Sequence, residues 1–283
     1  MKKLCDLHTH STASDGSLTP TQLVQLAKET GLAAVVLCDH NTVNGLQEFL
    51  EAAKQLGIEA VPAVEFSTEY KGTELHIIAM FVEPEHYGII TQRMEDFKLR
   101  KEKSNLDLIF ALQKAGIPLD YQRIRQGHSY VNRAHIGQEL TRLGYTQSVQ
   151  EAFKTYLSEK RGYYVPPKRQ DALETIGFIR SIGAVAVLAH PFLELDEVAL
   201  REFLPKAKEF GLDGMETMYS KYDPDTEKLA TAIAKEFDLL QSGGSDFHGN
   251  AKPDIALGTG RGELKIPYEF LGNLKARKKQ KSV

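Results

Sequence analysis

Short apolar runs alternate with amphipathic segments over most of the chain. The run LCDLHTH at 4–10 is followed by TPTQ at 19–22, which supplies an N-cap, a first-turn proline and a capping-box glutamine. Apolar residues at helical spacing then continue to about Thr30, where Gly31 follows. The pattern predicts a strand and then a helix.

The same alternation recurs along the chain. The run AAVVLCDH at 33–40 is apolar almost throughout, which is typical of a parallel strand covered on both faces. We predict further strands at 58–66, 74–82, 184–190, 213–217 and 237–246, and helices over 44–55 and from Asp171, Asp196 and Pro224. This predicts an α/β fold, either a barrel or an open wound sheet, with active-site residues at the carboxyl ends of strands.

Residues 91–167 interrupt the alternation. The stretch 92–115 is charged and helical in pattern, and 136–143 and 149–157 are shorter helical segments. We interpret 91–167 as an inserted helical subdomain, and residues 1–90 and 168–283 as the main α/β domain. Insertions of this kind commonly lie over the active-site face of α/β barrels and shape substrate choice.

Composition narrows the class of protein. With 283 residues and 42% hydrophobic content the chain can bury a full core, and its formal net charge of −3 gives no global case for binding nucleic acid or a membrane surface. The N-terminus does not resemble a signal peptide and no apolar run approaches a membrane span, so we expect a soluble cytoplasmic protein. Cys5 and Cys38 lie in apolar segments, which favours buried reduced thiols. The basic tail at 275–282 is interpreted as a solvated terminus that could contact RNA.

Histidines and carboxylates recur at the predicted strand ends. His8 and His10 are two residues apart, so both imidazoles project to one side of a strand and one ion could take both. Each residue alone could be a surface or turn residue, but clustered carboxylates without cations would repel one another. The full set predicts a polynuclear metal centre in which Glu65 suits the role of bridging carboxylate: His8, His10, Asp15, His40, Glu65, His76, His190, Asp246 and His248.

These motifs match one known pattern in identity, order and strand context. Together, His8-Thr9-His10, SDG at 14–16, CDHNT at 38–42, Glu65, His76, AHP at 189–191 and SDFH at 245–248 resemble the polymerase and histidinol phosphatase (PHP) family. The resemblance covers nearly the whole chain. It implies a distorted (β/α)7 barrel with a trinuclear metal centre that hydrolyses phosphoesters.

The resemblance also implies a grouping of ligands around three divalent ions, for which manganese, iron or zinc would suit the donors. One ion would be held by His8, His10, Glu65 and Asp246, a second by Glu65, His76 and His190, and a third by Asp15, His40 and His248. Of these residues, Glu65, Asp246 and His190 are the candidate catalytic residues.

Within the family, the chain is similar to the 3′,5′-nucleoside bisphosphate phosphatases and the 5′-to-3′ exoribonucleases that act on short RNA. The matching segments are NRAHI at 132–136 and YYVPPK at 163–168, in which Arg133, His135 and Lys168 would bind substrate phosphate. Where those proteins commonly have glycine and proline around the arginine, this chain has Asn132 and Ala134.

The expected reaction is attack of a metal-bridging hydroxide on a phosphate monoester, either of a small nucleotide such as a 3′,5′-nucleoside bisphosphate or at the 5′ end of short RNA. Three alternative functions stay open. The chain could be a histidinol-phosphate phosphatase, a binuclear amidohydrolase or a noncatalytic metal-binding module. Amidohydrolases of that kind usually have a metal-bridging lysine, and we find none in the sequence.

Overall fold

A computed structural model describes residues 3–126, 131–167 and 169–281. The chain divides into two compact units. We call Met1–Thr91 together with Gln170–Val283 the barrel unit, and Gln92–Arg169 the helical unit. Among the described residues, no helix combines the length and the apolar character needed to cross a bilayer.

The barrel unit is built on one sheet, whose described strands run in the order β8-β7-β6-β4-β3-β2-β1-β9, with the short β5 paired to β3. The strands are β1 Leu4–Asp6, β2 Ala34–Leu37, β3 Glu59–Tyr70, β4 Thr73–Met80, β5 Gln170–Asp171, β6 Val185–Leu188, β7 Leu212–Tyr219, β8 Leu240–Gly244 and β9 Ile266–Pro267.

Hydrogen bonds beyond the ends of β1 and β8 close the sheet. The amide of Leu7 donates to the carbonyl of Gly243 at 3.3 Å, the amide of Asp246 donates to that of His8 at 2.9 Å, and the amide of His10 donates to that of Phe247 at 2.9 Å. The closed path β1, β2, β3, β4, β6, β7, β8 confirms the prediction of a distorted seven-stranded α/β barrel.

The distortion comes from β4, which runs antiparallel to both of its neighbours. Strand β3 continues past Glu65, the end expected from the sequence, and turns at Lys71 and Gly72, whose φ angles are 50° and 85°. The hairpin register places His76 opposite Ser67 and Ile78 opposite Glu65. His76 therefore lies in the first half of a strand rather than at its end, yet on the same edge of the barrel as the ends of the parallel strands.

Helices follow most strands of the barrel unit. They are α1 Pro20–Glu29, α2 Leu46–Leu56, α7 Ala172–Ser181, α8 Glu197–Phe210, α9 Pro224–Glu236 and α10 Tyr268–Lys281. The predicted capping box of α1 is confirmed, because Thr19 Oγ1 accepts from the Gln22 amide and Gln22 Oε1 accepts from the Thr19 amide. Helix α2 begins two residues later than the apolar pattern indicates and ends at Gly57, whose φ is 68°.

The barrel interior is apolar below the edge that carries the histidines. Ala34 and Val36 of β2 and the following Cys38 are buried there. Val61 and Ala63 of β3 belong to the same cluster. Cys5 belongs to the same cluster, and both cysteines are buried free thiols as predicted.

The helical unit contains most of α3 Tyr87–Lys114, together with α4 Tyr121–Arg125, α5 Arg133–Arg142 and α6 Val149–Ala152, which continues as a π-helical turn over Phe153–Leu157. It has an apolar core of its own, formed by Leu108, Ile109, Leu112, Ile117, Leu119, Ile124, Val131, Ile136, Leu140, Ala152, Leu157 and Tyr164. The short α4 was not predicted, since five residues hold too little periodicity to be recognised.

The basic tail, interpreted from the sequence as a solvated terminus, is helical over its described residues, because 275–281 form the second half of α10. The tail side chains range from partly buried to exposed, while Leu271 and Leu274 earlier in the helix are fully buried. The Lys278 ammonium donates to the carbonyl of Gly183, and the Lys281 ammonium donates to the carbonyl of Ala184 and to the buried Asp213 carboxylate. These lysines therefore anchor α10 beneath the starts of β6 and β7, and their charge suits the carboxyl end of a helix.

We predict that Lys281→Met lowers the free energy of unfolding by about 1–3 kcal/mol, because Asp213 would lose its closest cation while staying buried. Urea unfolding of the full chain measures this difference. The control is Lys279→Met, which changes an exposed lysine of the same helix and should have little effect. Equal losses in the two variants would contradict an anchoring role for Lys281.

Candidate metal centre

The predicted ligands of the barrel unit gather at one edge of the barrel. His8 and His10 follow β1, His40 follows β2, and His190 follows β6. Bridges between Thr9 and Phe247 and between His40 and Glu65 extend the parallel pairing of the strands to this edge. Backbone pairing therefore sets the spacing between ligands that are far apart in the sequence.

Two of these ligands have left-handed backbone conformations. The φ angle is 28° at His190 and 57° at Asp246. Such conformations cost about 1–3 kcal/mol for residues other than glycine and cluster at functional sites. The neighbouring Gly244 is required for packing, because a Cβ there would lie 2.4 Å from the Cβ of His8.

Glu65 lies at the centre of the site and is fully buried. Its Oε2 atom faces ring nitrogens of three histidines and its Oε1 atom faces two others. Oε2 lies 3.2 Å from His8, 3.2 Å from His10 and 3.1 Å from His40. Oε1 lies 2.8 Å from His76 and 3.2 Å from His190. A carboxylate whose two oxygens serve two groups of imidazoles has the arrangement expected of a bridging ligand.

Asp246 lies near two of these histidines, His8 and His10, and near His248. Its Oδ1 atom lies 3.3 Å from His10 Nε2 and 3.4 Å from His248 Nδ1. Its Oδ2 atom accepts hydrogen bonds from the Tyr219 hydroxyl at 2.8 Å and the Lys252 ammonium at 2.7 Å. One oxygen is therefore anchored by the protein while the other faces the site.

Asp15 is half exposed and completes the outer part of the site. Its carboxylate lies 3.2 Å from His248 Nε2 and 3.9 Å from His40 Nε2. It is held there by a loop that Asp39 organises, because the buried Asp39 carboxylate accepts from the Ser11 amide at 2.8 Å and from the Ser14 hydroxyl at 2.5 Å.

The donors fit divalent cations. Among the described residues, four groups have ligand atoms that all lie within 4.8 Å of one another. They are His8, Glu65 and His190; His40, Glu65 and His76; His10, Asp15, His40 and His248; and His8, His10 and Cys38, a cysteine that was not among the predicted ligands. His10 Nδ1, His40 Nδ1 and His248 Nε2 are buried without a hydrogen-bond partner among the described residues. Buried unpartnered nitrogens are costly, and a bound cation would satisfy them.

This grouping differs in part from the one that the family resemblance implies. All nine predicted ligands are brought to one site, but His10 lies with the Asp15 group as well as beside His8 and Asp246. His40 likewise lies near both Glu65 and Asp15. The geometry therefore supports one cluster in which His10 and His40 are each shared between two groups of candidate ligands.

The electrostatics of the cluster favour ionised carboxylates. Burial alone would raise the pKa of Glu65, but His8, His76 and His40 hold it well below its usual range. Burial opposes charge on His76 as well, yet the Glu65 carboxylate raises the pKa of His76 to about 10. His40 behaves differently, because burial dominates and lowers its pKa to about 4. Cations binding here would displace a proton from His76.

Several functional side chains of the barrel unit were not predicted. Glu216 is fully buried beside His8 and His190. Asp6 is fully buried and accepts from the Ser245 amide at 2.9 Å, next to the predicted ligand Asp246. The available signal was a carboxylate within a predicted buried strand, since burial of an unpaired carboxylate is unfavourable and such a residue must have partners.

The predicted phosphate-binding residues belong to the helical unit. Arg133 opens α5, with its guanidinium carbon 4.2 Å from the centre of the Tyr164 ring and Nη1 3.3 Å from the carbonyl of Leu157. His135 forms a capping box with Asn132, whose amide donates to His135 Nδ1 at 3.3 Å. The structure thus places these two side chains within the first turn of one helix. Lys168 lies outside the described residues.

Comparison with known proteins gives consistent matches. A family model for the PHP domain matches residues 6–162. A 5′-3′ exoribonuclease of Haemophilus influenzae is 36% identical, over 88% of this chain and 91% of its own length. A 3′,5′-nucleoside bisphosphate phosphatase of Chromobacterium violaceum is 27% identical, over 86% of this chain and 86% of its own length.

A solved structure gives the same match at the level of the fold. An inferred metal-dependent phosphoesterase from Bifidobacterium adolescentis superposes with a TM-score of 0.71 and 26% identity, covering 97% of this chain and 96% of that one.

We predict that adding Mn²⁺ or Zn²⁺ to the metal-free protein at about pH 8, with free metal at about a hundred times the Kd at that pH, raises Tm by roughly 5–10 °C, since ions that bind only the folded state stabilise it. At the same metal concentration the shift should be smaller at about pH 6, because metal must displace the proton of His76 and protons compete more strongly there. Differential scanning fluorimetry after chelation measures the shift. Ca²⁺, which prefers oxygen ligands, is the control, and an equal effect of Ca²⁺ would argue against the imidazole cluster.

Proposed function

Because this chain belongs to the PHP domain family and is a metal-dependent phosphoesterase, we propose that it hydrolyses a phosphate monoester of a nucleotide-like substrate, either a 3′,5′-nucleoside bisphosphate or the 5′ end of short RNA. One observation carries the proposal. Five imidazoles converge on the buried Glu65 at the barrel edge, and Asp246 faces two of them, which makes a donor set suited to adjacent divalent cations.

The relatives support the nucleotide part of the proposal. The exoribonuclease and the bisphosphate phosphatase are each matched over most of their length and most of this chain. A shared substrate element of these two classes is a phosphate on a ribose, and we carry that element over to this chain.

We propose three ions per chain, drawn from manganese, iron and zinc. His8, His10, Glu65 and Asp246 would hold one ion, Glu65, His76 and His190 a second, and Asp15, His40 and His248 a third. When bound, such ions lower the pKa of water and offset negative charge on the phosphoryl oxygens.

The side chains of the chain itself then have separate tasks. Glu65 links two groups of imidazoles, because each of its oxygens faces a different group. Asp246 presents Oδ1 to the site while Tyr219 and Lys252 hold Oδ2. His190, which follows β6, faces Glu65 Oε1 together with His76. These three residues are our proposed catalytic set: Glu65, Asp246 and His190.

We further propose that the helical unit selects the substrate through Arg133, His135 and Lys168. Arg133 and His135 stand in the first turn of α5, where amide groups and the helix dipole favour an anion. The Arg133 guanidinium is held against Tyr164 and Phe153, so its orientation is restricted before any phosphate arrives.

The test is a screen of phosphorylated compounds with Mn²⁺ supplied: 3′,5′-nucleoside bisphosphates, mononucleotides, 5′-phosphorylated short RNA and histidinol phosphate, with an amide substrate alongside. We expect turnover of a bisphosphate or of RNA. Preference for histidinol phosphate would overturn the substrate class, and amide hydrolysis would favour an amidohydrolase. Metal bound without turnover of any phosphoester would favour a noncatalytic module.

We predict that Glu65→Gln or His10→Ala reduces phosphate release from the best substrate by at least about a hundredfold, because each change removes a proposed ligand or bridge. Circular dichroism establishes that the variants are folded. The control is Glu59→Gln, which alters a carboxylate at the start of β3 that pairs with Tyr268 and Lys275. Near-normal turnover by a folded Glu65→Gln enzyme would sink the proposed metal centre.

We also predict that Arg133→Gln raises KM about 10–100-fold and leaves bound metal unchanged, since it removes a charged hydrogen bond to phosphate outside the ligand cluster. Steady-state kinetics and metal analysis measure the two effects. Arg142→Gln is the matched control, because Arg142 lies on the same helix and pairs with Glu139. An unchanged KM in Arg133→Gln would remove Arg133 from the substrate site.

A further inference from the structure

We propose that Glu216 is a positioning residue that determines which nitrogen of His8 is free to bind a metal ion and that holds the backbone of His190 in place. Glu216 was not among the predicted ligands, and it contacts the cluster from β7, a strand that contributes none of them. The inference rests on the proposed metal centre, because it concerns two of its ligands.

The geometry of Glu216 assigns both of its oxygens as acceptors. Its Oε1 atom lies 3.0 Å from His8 Nδ1, and its Oε2 atom accepts from the His190 amide at 2.7 Å. A backbone amide can only donate, so Oε2 must accept. The side chains of Glu216 and His8 are both fully buried, so water does not compete for these bonds.

The other nitrogen of His8 faces the metal cluster. His8 Nε2 lies 3.2 Å from Glu65 Oε2 and 3.1 Å from His10 Nε2. A histidine binds metal through a nitrogen that carries no proton. With metal bound at Nε2, the proton of His8 must reside on Nδ1, and the Glu216 carboxylate accepts it there. Carboxylate partners of this kind orient metal-binding histidines and raise their basicity.

The second bond of Glu216 acts on the backbone. His190 has φ 28° and ψ 53°, a conformation that residues other than glycine rarely adopt. Its amide is directed at Glu216, and its ring Nε2 lies 3.2 Å from Glu65 Oε1. The rings of His8 and His190 are stacked with centroids 5.6 Å apart. One carboxylate therefore aligns two ligands that follow different strands.

This arrangement predicts that the conservative change Glu216→Gln lowers zinc affinity at least as much as Glu216→Ala. Glutamine has the shape of glutamate, but one of its terminal atoms is a donor. It cannot accept from both His8 Nδ1 and the His190 amide. Either the His190 amide faces another donor, or His8 accepts at Nδ1 and carries its proton on Nε2, the nitrogen needed for metal. Alanine removes the bonds and the packing but imposes no tautomer on His8.

The experiment compares Glu216→Gln, Glu216→Ala and the control Glu59→Gln in the full chain. Zinc affinity is measured by competition with a chromophoric chelator, and Tm is measured on the metal-free proteins. We expect Glu216→Gln to lose about 10–100-fold in zinc affinity, at least as much as Glu216→Ala, while its metal-free Tm stays closer to that of the wild type. Glu59→Gln should keep wild-type zinc affinity, because its carboxylate lies at the start of β3 and pairs with Tyr268 and Lys275 rather than with a proposed ligand.

A spectroscopic measurement separates tautomer control from packing. In the zinc-loaded wild type, proton–nitrogen correlation spectra of the imidazoles should show a protected Nδ1–H that disappears in His8→Gln and in Glu216→Gln. If zinc affinity follows Tm, with alanine worse than glutamine in both, Glu216 has only a packing role and the inference is overturned. Wild-type zinc affinity in Glu216→Gln would overturn it as well.

The outcomes also separate this inference from the proposed function. If the variants lose zinc as expected but the wild type hydrolyses no phosphoester, the proposed function fails and the role of Glu216 stands. If the wild type is an active phosphoesterase and Glu216→Gln retains zinc, only the role of Glu216 fails. A wild-type chain that binds no zinc would overturn the inference directly.

Discussion

The structure depends on a carboxylate that is buried where it would be unfavourable by itself. Glu65 is excluded from water at one end of a closed barrel, and its charge is sustained by the histidines around it. Those histidines include two with a buried nitrogen that lacks a hydrogen-bond partner among the described residues. Cations bound at this edge would give those nitrogens the partners they lack.

The antiparallel β4 lets one hairpin contribute two kinds of ligand. In a purely parallel barrel each strand reaches the active edge only at its carboxyl end. Because β3 turns at Gly72 and returns as β4, Glu65 and His76 both reach that edge from adjacent strands. Both oxygens of Glu65 can then be used, with His76 on one side and His40 on the other.

Below the ligands, a layer of buried carboxylates orders the backbone. Asp6 binds the segment that carries Asp246, Asp39 binds the loop that carries Asp15, and Glu216 binds His8 and His190. Each carboxylate is satisfied by amides, hydroxyls or imidazoles of a ligand-bearing segment. This layer explains how strained residues such as His190 persist, since their amides have partners with full or partial negative charge.

The sequence by itself determined the α/β alternation, the interruption near residue 91 and the candidate ligands of the barrel edge, because apolar periodicity and the HxH, CDH and SDFH motifs are local patterns. Only the tertiary structure decided the direction of β4, the sharing of His10 and His40 between groups, the packing of α10 and the contacts of Glu216. Each of these depends on which strands and helices become neighbours, and a hydrogen bond between residues 26 or 208 positions apart leaves no periodic trace in the chain.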